Sequence, residues 1–464
     1  MKTEEKDIFL STRSNIDLYS YIIGATKKHA EYKFKKKLKL QEYSNSKKIS
    51  LKLIYHLLKI ILLTNLLKNH KLSKFKLYNC EIGRHVISTC YSDYLAHFNS
   101  FSLIYKKIKF LIISLNMIFF MKKNQNRIAA IYLDHGIFLN GLFVNYFSDK
   151  KTILYSNSYP RGLFFKPLNL NKSLKYEDFL KLRFNKKDKI KQSLKKTIKK
   201  KIENSLSKPQ EVYPWVKQGY FKKINKNKLK KIDYVIYCHS FTDAQLQMGY
   251  DGFVTMEAWL KFTLYTLLKK NSKIIVKSHP NFNKFNKIQT YRSNVEVKIF
   301  EKIKNEFKNY KNIIFLSDPI KNLDLLRNLN NKRTVLISHH GTSILEGTYL
   351  GFKFISYIKN FWSSNYNLTN KWSNKREYFD LLNKEFKYLK FANKNHIFLI
   401  WKKIHLNQNN FSGKKYFMKS ISDYFNINLN LLISGKLKIK KFVHNNKGQI
   451  KLVNKIINSL ESVE

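Results

Sequence analysis

Acidic residues are scarce in this chain of 464 residues, with 31 Asp and Glu against 88 Lys and Arg, for a formal net charge of +57. The excess is almost all lysine and is spread along the whole chain. A nucleic-acid-binding protein typically gathers arginine and aromatic residues on one face, whereas here they are scattered. Together with abundant Asn, Ile, Phe and Tyr, the excess fits drift toward A/T-rich codons. We therefore predict no nucleic-acid partner, but peripheral contact with an anionic membrane.

Cysteine, glycine and proline are also few. The three cysteines show no CxxC pairing, which excludes a disulfide framework and a zinc cage of that kind and fits a reducing compartment. The 6 Pro and 14 Gly exclude a low-complexity or collagen-like chain. There is no GxGxxG, GxxxxGK[ST], HExxH or GxSxG motif, and no Asp stands two residues from another Asp. We therefore expect no cofactor and no metal.

Long apolar runs are missing as well. The most apolar stretch, 110–121, is flanked by lysines and falls short of the ~20 residues that a spanning helix needs. The stretch 51–67 is interrupted by His56 and Lys59. Both are predicted to be buried or interfacial helices. The polar start of the chain predicts no signal peptide, so we expect a cytoplasmic protein that can work at the inner face of the membrane.

Apolar segments alternate in a regular way in the second half of the chain. In the first half, strands at 127–133 and 152–155 with a helical pattern at 136–147 predict a small α/β unit after a lysine-rich helical start. In the second half, alternation predicts a parallel sheet with helices on both faces, a Rossmann-like domain whose ligands bind at the carboxyl ends of the strands. Its predicted strands are 233–237, 273–276, 312–316, 334–337 and 352–357, and its predicted helices are 255–269, 301–311, 323–329 and 343–350.

These patterns predict three regions. Residues 1–225 form an N-terminal domain, 226–420 a C-terminal Rossmann-like domain and 421–464 a helical tail, with a linker near 222–231.

Polar loops follow the first two strands of the second half. Cys238-His-Ser-Phe-Thr-Asp243 contains His239 and Asp243, which could contact a substrate hydroxyl or orient each other. The alternative is a turn in which Asp243 caps a helix. Lys277-Ser-His-Pro280 places Lys277 and His279 at a strand end, where a point charge and a neutral donor suit a diphosphate. The alternative is an ordinary polar turn closed by its proline.

A third loop, Ser338-His-His-Gly-Thr-Ser343, leads directly into a helix. Gly341 lets the backbone approach a ligand closely, and the free N–H groups of a helix start favour a phosphate. Glu346 could close a capping box with Ser343, or could accept hydrogen bonds from ribose or sugar hydroxyls. Gly351 is expected to end the helix.

The three loops, in their order and spacing, resemble the GT-B enzymes of capsule and surface-carbohydrate biosynthesis. The resemblance rests on 237–244, on Trp259-Leu260 with its helix, and on 275–281, 338–355 and 370–382, and it covers about 230–385. It implies two Rossmann-like domains facing a cleft, with lysine-rich helical N-terminal additions. It also implies transfer of a sugar from a nucleotide-sugar donor to a glycan or lipid-linked acceptor without a metal. By this resemblance, the residues that would hold the donor in the C-terminal domain are Lys277, His279, Gly341, Thr342 and Glu346. Further donor-binding candidates in the same three loops are His239, Asp243, Ser338, His340 and Ser343.

By the same resemblance, the N-terminal domain holds the acceptor and supplies a catalytic base. Asp134 and His135, at a strand end in Leu133-Asp-His-Gly136, are the first candidates and Glu81 is the second. The alternative for Asp134 and His135 is an ordinary turn.

Three other functions stay open from the sequence. The first is a transferase of the CDP-glycerol type, which shares the fold. The second is a non-hydrolysing nucleotide-sugar epimerase, which needs a further acid and base pair. The third is a basic RNA-binding protein.

Overall fold

A computed structural model describes residues 7–12, 27, 30–31, 35–43, 49–92, 95–133, 138–147, 152–156, 192–207, 229, 231–243, 246, 250–279, 290–317, 320–360 and 367–401. They form two compact units, each with its own parallel sheet. The first unit contains the described residues up to 86 and from 104 to 156. The second contains 87–103 and the described residues from 192 to 401. The predicted tail at 421–464 lies outside the described residues, as does most of the linker at 222–231.

The first unit is built on four parallel strands in the order β2-β1-β3-β4. They are β1 Ile8–Ser11, β2 Lys39–Glu42, β3 Ile128–Leu133 and β4 Ile153–Ser156. Every residue of β1 and β3 is buried. The helices of this half of the chain are α1 Leu51–Leu63, α2 Asn69–Leu72, α3 Ile82–Cys90, α4 Leu95–Phe98, α5 Ser100–Asn124 and α6 Gly141–Phe147, the last preceded by a 3-10 turn at Phe138–Asn140.

The predicted strand, helix and strand around residues 127–155 are confirmed. The predicted lysine-rich helices of the first half are present from residue 51 onward, and the structure adds two strands before them, β1 and β2. Both have only four residues, and β2 (Lys39–Glu42) is mostly polar, so neither shows a clear period of two.

The second unit is built on six strands in the order β10-β9-β8-β5-β6-β7, and every neighbouring pair is parallel. The strands are β5 Tyr234–Tyr237, β6 Ile274–Lys277, β7 Ile313–Leu316, β8 Val335–Ser338, β9 Lys353–Tyr357 and β10 Asn370–Trp372. The helices are α7 Gln192–Ser207, α8 Met256–Leu268, α9 Thr290–Glu306, α10 Asn322–Arg327, α11 Ser343–Tyr349, α12 Lys375–Asn383 and α13 Lys394–Trp401, with a 3-10 turn at Phe386–Tyr388.

The strand order of the second unit is that of a doubly wound fold. Read from β7, the strands run third, second, first, fourth, fifth and sixth in chain order. In such sheets the order reverses between the first and fourth strands, and ligands bind in the crevice at their carboxyl ends. Here that position lies between β5 and β8. The prediction of an α/β chain with Rossmann-like sheets is therefore confirmed.

One helix of the second unit differs from the prediction. The helix predicted at 301–311 is α9, which begins at Thr290 and ends at Glu306, because buried Val295, Ile299 and Ile303 extend its apolar stripe toward the N terminus. Helix α7 belongs to the second unit, and the predicted domain boundaries stay predictions.

Within the part of the chain that the structure describes, no helix is long and apolar enough to cross a membrane. The apolar stretch 110–121 lies in the middle of α5, where Leu111, Leu115 and Ile118 are completely buried. The prediction of a buried helix there is confirmed.

Gly83 marks a close approach within the first unit. A Cβ added at this position would lie 1.5 Å from the carbonyl oxygen of Leu72. In an open helix a change from Gly to Ala gains up to about 1 kcal/mol. We expect Gly83→Ala instead to lose about 1–3 kcal/mol, because backbone must move to accept the methyl group. Urea unfolding measures the difference, and a gain in stability would contradict this packing.

Candidate functional site

Three strands of the second sheet end at the same level. Tyr237, the last residue of β5, pairs with Lys277 of β6 on one side and with Ser338 of β8 on the other. The loops that follow therefore leave the sheet together. The ring centroid of His239 lies 3.6 Å from that of His340 and 5.5 Å from that of His279. The structure thus brings together the three predicted loops at the point where the strand order reverses.

The predicted residues occupy two levels at this edge. Lys277, Ser338 and Glu346 are buried. The residues above them are partly exposed: His239, His279, His340, Gly341, Thr342 and Ser343. Asp243 is exposed. A ligand at the edge would therefore meet imidazoles and backbone first, with an ammonium and a carboxylate beneath them.

Lys277 is buried without a hydrogen-bond partner for its charge. Its side chain is 8% exposed, and Nζ lies 5.9 Å from the centre of the Tyr237 ring. Among the described residues, no oxygen accepts a hydrogen bond from this ammonium. Burial lowers the pKa of Lys277, while the carboxylate of Glu346 acts in the opposite direction. The site therefore has a cation that its own side chains leave unsatisfied.

Glu346 is held at the end of a short hydrogen-bond chain. Asn322 Nδ2 donates to Glu346 Oε2 at 2.5 Å, and Tyr237 Oη donates to Asn322 Oδ1 at 2.8 Å. Burial raises the pKa of Glu346, and the bond from Asn322 opposes that shift. The capping-box alternative is wrong, because α11 has Thr342 as its N-cap without a side-chain bond, and the Glu346 carboxylate contacts Asn322 instead.

Burial disfavours the charged forms of the three clustered histidines. Burial is the main cause that lowers the pKa values of His239, His279 and His340, and the neighbouring histidines add to it, as does Lys277 for His279. The carboxylate of Asp243 acts in the opposite direction on His239. At neutral pH the rim is therefore a set of neutral imidazoles, which can donate a hydrogen bond without adding charge.

Gly341 has a backbone conformation that other residues rarely adopt, with φ +138°. An added Cβ would meet nothing closer than 3.7 Å, so the conformation rather than crowding favours glycine here. The preceding turn is tied by Ser338 Oγ, which donates to the carbonyl oxygen of His340 at 2.9 Å. Gly351, with φ +83°, follows the last turn of α11 as predicted.

A buried carboxylate that the sequence did not reveal fixes the first loop. Glu296 of α9 accepts hydrogen bonds from the backbone N–H groups of Phe241 and Thr242 at 2.7 and 2.9 Å, from Thr242 Oγ1 at 2.6 Å and from Ser240 Oγ. Burial raises its pKa, and these four bonds oppose the shift. The position of the adjacent His239 therefore depends on a side chain 57 residues further along the sequence.

A second missed group is a line of three polar side chains. Asp251 Oδ2 lies 2.5 Å from His339 Nε2, and His339 Nδ1 lies 2.7 Å from His340 Nδ1. The other oxygen of Asp251 accepts a hydrogen bond from the N–H of Phe253 at 2.8 Å. Asp251 and His339 are both buried, while His340 is partly exposed. The line therefore connects the rim of the site with a carboxylate in the interior.

Hydrogen-bond logic assigns the protons along this line. An ionised Asp251 only accepts, so His339 Nε2 carries a proton. If His339 is neutral, its Nδ1 accepts, His340 Nδ1 donates, and His340 Nε2 is left with a lone pair. A proton taken up at His340 Nε2 can then be matched by transfer of the Nδ1 proton to His339. The positive charge would come to rest beside Asp251.

The predicted catalytic bases are less well defined. Asp134 and His135 lie outside the described residues. Glu81 is partly exposed and pairs with Arg84 at 2.6 Å and with Lys76 at 3.8 Å. These three base assignments stay predictions. Among the described residues, no group of three His, Cys, Asp or Glu side chains is placed to hold a metal ion.

Comparisons with known proteins give distant structural likenesses. No family model matches the chain, and no curated protein sequence does. KpsC of Thermosulfurimonas dismutans, a beta Kdo 2,4 transferase, matches with TM-score 0.36 and 11% identity over 60% of this chain and 80% of its own. The UDP-GlcNAc 2-epimerase of Methanocaldococcus jannaschii, solved with UDP-GlcNAc and UDP, matches with TM-score 0.28 and 12% identity over 87% and 99%. A glycosyltransferase of Rickettsia africae matches with TM-score 0.25 and 9% identity over 96% and 100%. All three likenesses are remote in sequence and in coordinates.

The lowered pKa values predict how stability depends on pH. A histidine in the unfolded chain has a pKa near 6.5, so the unfolded chain binds protons below that pH. The folded cluster has lowered pKa values and binds fewer protons, so the free energy of unfolding falls as pH falls. When the pH is lowered from about 7.5 to about 5.5, we expect the melting temperature of His279→Gln to fall by less than that of the wild type. His70→Gln, at an exposed position in α2, is the control. Equal losses in wild type and His279→Gln would show that the cluster accepts protons freely.

Proposed function

We propose that the chain is a glycosyltransferase that binds a nucleotide-activated sugar at the carboxyl ends of β5, β6 and β8. The proposal rests on one observation, the buried Lys277 ammonium beside three neutral imidazoles at the point where the strand order reverses. An anionic diphosphate would complete the coordination of that ammonium.

Comparison with the other buried lysines supports this interpretation. Among the described residues, Lys107, Lys277 and Lys353 are buried. Lys107 Nζ donates to the carbonyl oxygen of Leu67 at 2.8 Å, and Lys353 Nζ donates to that of Phe386 at 2.7 Å. Only Lys277, of these three, lacks such an acceptor. Because burial removes much of the hydration of a charged group, an anionic ligand at this edge would supply the hydrogen bonds that Lys277 lacks among the described residues.

The proposed chemistry is substitution at the anomeric carbon. The bond from that carbon to the diphosphate oxygen breaks, a bond to an acceptor oxygen forms, and the acceptor proton passes to a base. Lys277 would neutralise the leaving diphosphate, with hydrogen bonds from His279 and from the backbone around Gly341. Glu346 would accept hydrogen bonds from sugar or ribose hydroxyls. No metal is needed for charge neutralisation in this scheme.

The line from Asp251 to His340 would handle a proton within the same site. His340 Nε2 can accept a proton from a ligand hydroxyl, or return one, while Asp251 stabilises the charge on His339. Asp251 and His339 therefore act as positioning residues, and His340 is the group within reach of the ligand.

The acceptor and the setting follow from the resemblance to enzymes of surface-carbohydrate synthesis. We propose a glycan or lipid-linked acceptor, handled by the N-terminal domain, with Asp134, His135 and Glu81 as candidate bases. We further propose that the enzyme works in the cytoplasm at the inner face of the membrane, and builds a capsule or other surface polysaccharide. The net charge of +57 supports contact with an anionic bilayer.

A nucleotide-sugar epimerase is the second candidate, and the line from Asp251 to His340 favours it. An epimerase needs acid and base groups in the cleft, and this line is such a group. A base that removes a carbon-bound proton exchanges it with solvent, whereas transfer leaves the hydrogens of the sugar intact. Deuterium in the sugar after incubation in ²H₂O would therefore favour epimerisation.

Lys277→Met gives the sharpest test of the anion site. Removing an unsatisfied buried ammonium should keep or raise the melting temperature of the free protein, because Met fills similar space without charge. The substitution should also abolish the rise in melting temperature that a ligand produces. For the wild type, a ligand at 100 times its Kd stabilises the folded state by about 2.7 kcal/mol. A thermal-shift screen against CMP-, CDP-, UDP- and GDP-sugars and CDP-glycerol measures both effects.

Lys269→Met, an exposed lysine after α8, is the matched control and should respond to ligand as the wild type does. A wild-type response that survives in Lys277→Met would remove the assignment. A response to CDP-glycerol alone would favour polyol-phosphate transfer over sugar transfer.

Asp251→Asn tests the proton line with the nucleotide sugar that the screen selects. Loss of the carboxylate destabilises the protonated form of the line, so we expect turnover to fall by about 10²–10⁴-fold. The acidic limb of the pH–rate profile should also move to lower pH, while the ligand still raises the melting temperature. Asp380→Asn, an exposed change in α12, is the control. If turnover falls but the pH profile is unchanged, Asp251 contributes to packing and not to proton transfer.

A further inference from the structure

Helix α1 exposes most of its apolar side chains. Seven large apolar residues between positions 51 and 66 are 40–87% exposed, and we call them the α1 apolar face: Leu51, Ile54, Tyr55, Leu58, Leu62, Leu63 and Leu66. Single exposed apolar residues are ordinary, but a contiguous set on one element indicates an interaction surface.

Among the described residues, a narrow stripe of α1 packs against the rest of the first unit. Leu53 and Ile60 are buried, and the ring of His56 lies 5.3 Å from that of Phe119 in α5. At the other end, Lys107 of α5 donates to the carbonyl oxygen of Leu67. The two helices therefore run antiparallel, and α5 covers one side of α1.

The start of α5 extends the exposed surface. Ile104 and Tyr105 are 46% and 64% exposed, and they precede Lys107 by less than one turn. Since Lys107 contacts the chain at Leu67, these two side chains lie toward the same end as Leu62, Leu63 and Leu66.

The two sequence segments that form this face carry charge of one sign. Between Glu42 and Glu81 the sequence contains eight lysines and no Asp or Glu, and between Asp93 and Asp134 it again contains no acidic residue. Lys52 and Lys59 are exposed within α1, and Lys68 and Lys71 follow it. An apolar surface with cations at its margins is complementary to lipid tails beneath anionic headgroups.

We propose that the α1 apolar face inserts into the surface of an anionic lipid bilayer, with α1 lying in the plane of the interface. Thirteen residues of helix are about 20 Å long, too short to cross a hydrocarbon core of about 30 Å. A second copy of the chain is the weaker occupant, because it would bring two lysine-rich faces without carboxylates together. Lipid instead supplies the missing negative charge.

The surface deepens the membrane contact proposed above but shares no residue with the site at the ends of β5, β6 and β8. The first unit would be fixed at the bilayer, where a lipid-linked acceptor is found. Binding to lipid and binding to the nucleotide sugar can therefore succeed or fail independently.

Vesicle flotation tests the proposal with the full chain and no nucleotide sugar. The probes are phosphatidylcholine vesicles and the same vesicles containing phosphatidylglycerol. We expect binding to the anionic vesicles, part of which persists at about 1 M salt, where the Debye length is about 3 Å. The double variant Leu58→Glu with Leu62→Glu should lose at least tenfold in binding. Glu is a good helix former, so exposed positions of α1 should tolerate it.

Phe379→Glu, at an exposed apolar position in α12, is the matched control and should bind as the wild type does. Lys277→Met should also bind vesicles normally, which separates this test from that of the donor site. Two results would overturn the proposal. One is full vesicle binding by the double variant. The other is a wild-type dimer, seen by light scattering without lipid, that the double variant dissociates while vesicles bind neither protein.

Discussion

The register of β5 against its two neighbours is the constraint on which the candidate site depends. Asp233, just before β5, accepts a hydrogen bond from the N–H of Lys273 at 2.9 Å and another from Arg333 Nε at 2.8 Å. One carboxylate thus ties together the starts of three strands. Each strand has four residues, so their ends also meet at one level, at Tyr237, Lys277 and Ser338. A slip of one residue would turn Lys277 to the other face of the sheet.

That geometry imposes electrostatic costs at the carboxyl edge. It concentrates an ammonium, a carboxylate and several imidazoles in a buried space, and burial opposes every charged form among them. The histidines respond by remaining neutral, and Glu346 is stabilised by Asn322. Among the described residues, Lys277 is compensated by the nearby Glu346 carboxylate, by Cys238 and by the Tyr237 ring. This balance of charge is the basis for proposing an anionic ligand at the edge.

Much of the second unit could be predicted from the sequence, because its strands are short apolar runs separated by helices of clear period. The three loops could be predicted for the same reason, since polar residues after apolar strands must lie at one edge of a parallel sheet. Asp251 and Glu296 could not. Asp251 lies in an Asp-Gly pair that looks like a turn, and Glu296 lies in a helix that looks solvated. Their partners are 88 and 54–56 residues away along the chain.

In the first unit, several features could not be predicted from the sequence. Its strands β1 and β2 are too short, and β2 too polar, for periodicity to reveal them, so only pairing with β3 defines the sheet. The apolar pattern of 51–67 predicted a helix but not which of its sides would be covered. Coverage depends on α5, whose own sequence is apolar almost all round, and such a helix carries no signal for the side that will meet a neighbour.

Compositional drift accounts for lysines at positions where a lysine costs nothing, namely on solvated surfaces. It does not account for residues whose placement lowers the stability of the isolated protein. The buried Lys277, for which no acceptor is found among the described residues, is one such placement, and a row of exposed leucines on α1 is another. Both would become favourable with a ligand of matching chemistry, an anion for the first and an apolar medium for the second. The two proposals therefore rest on these placements more than on the net charge.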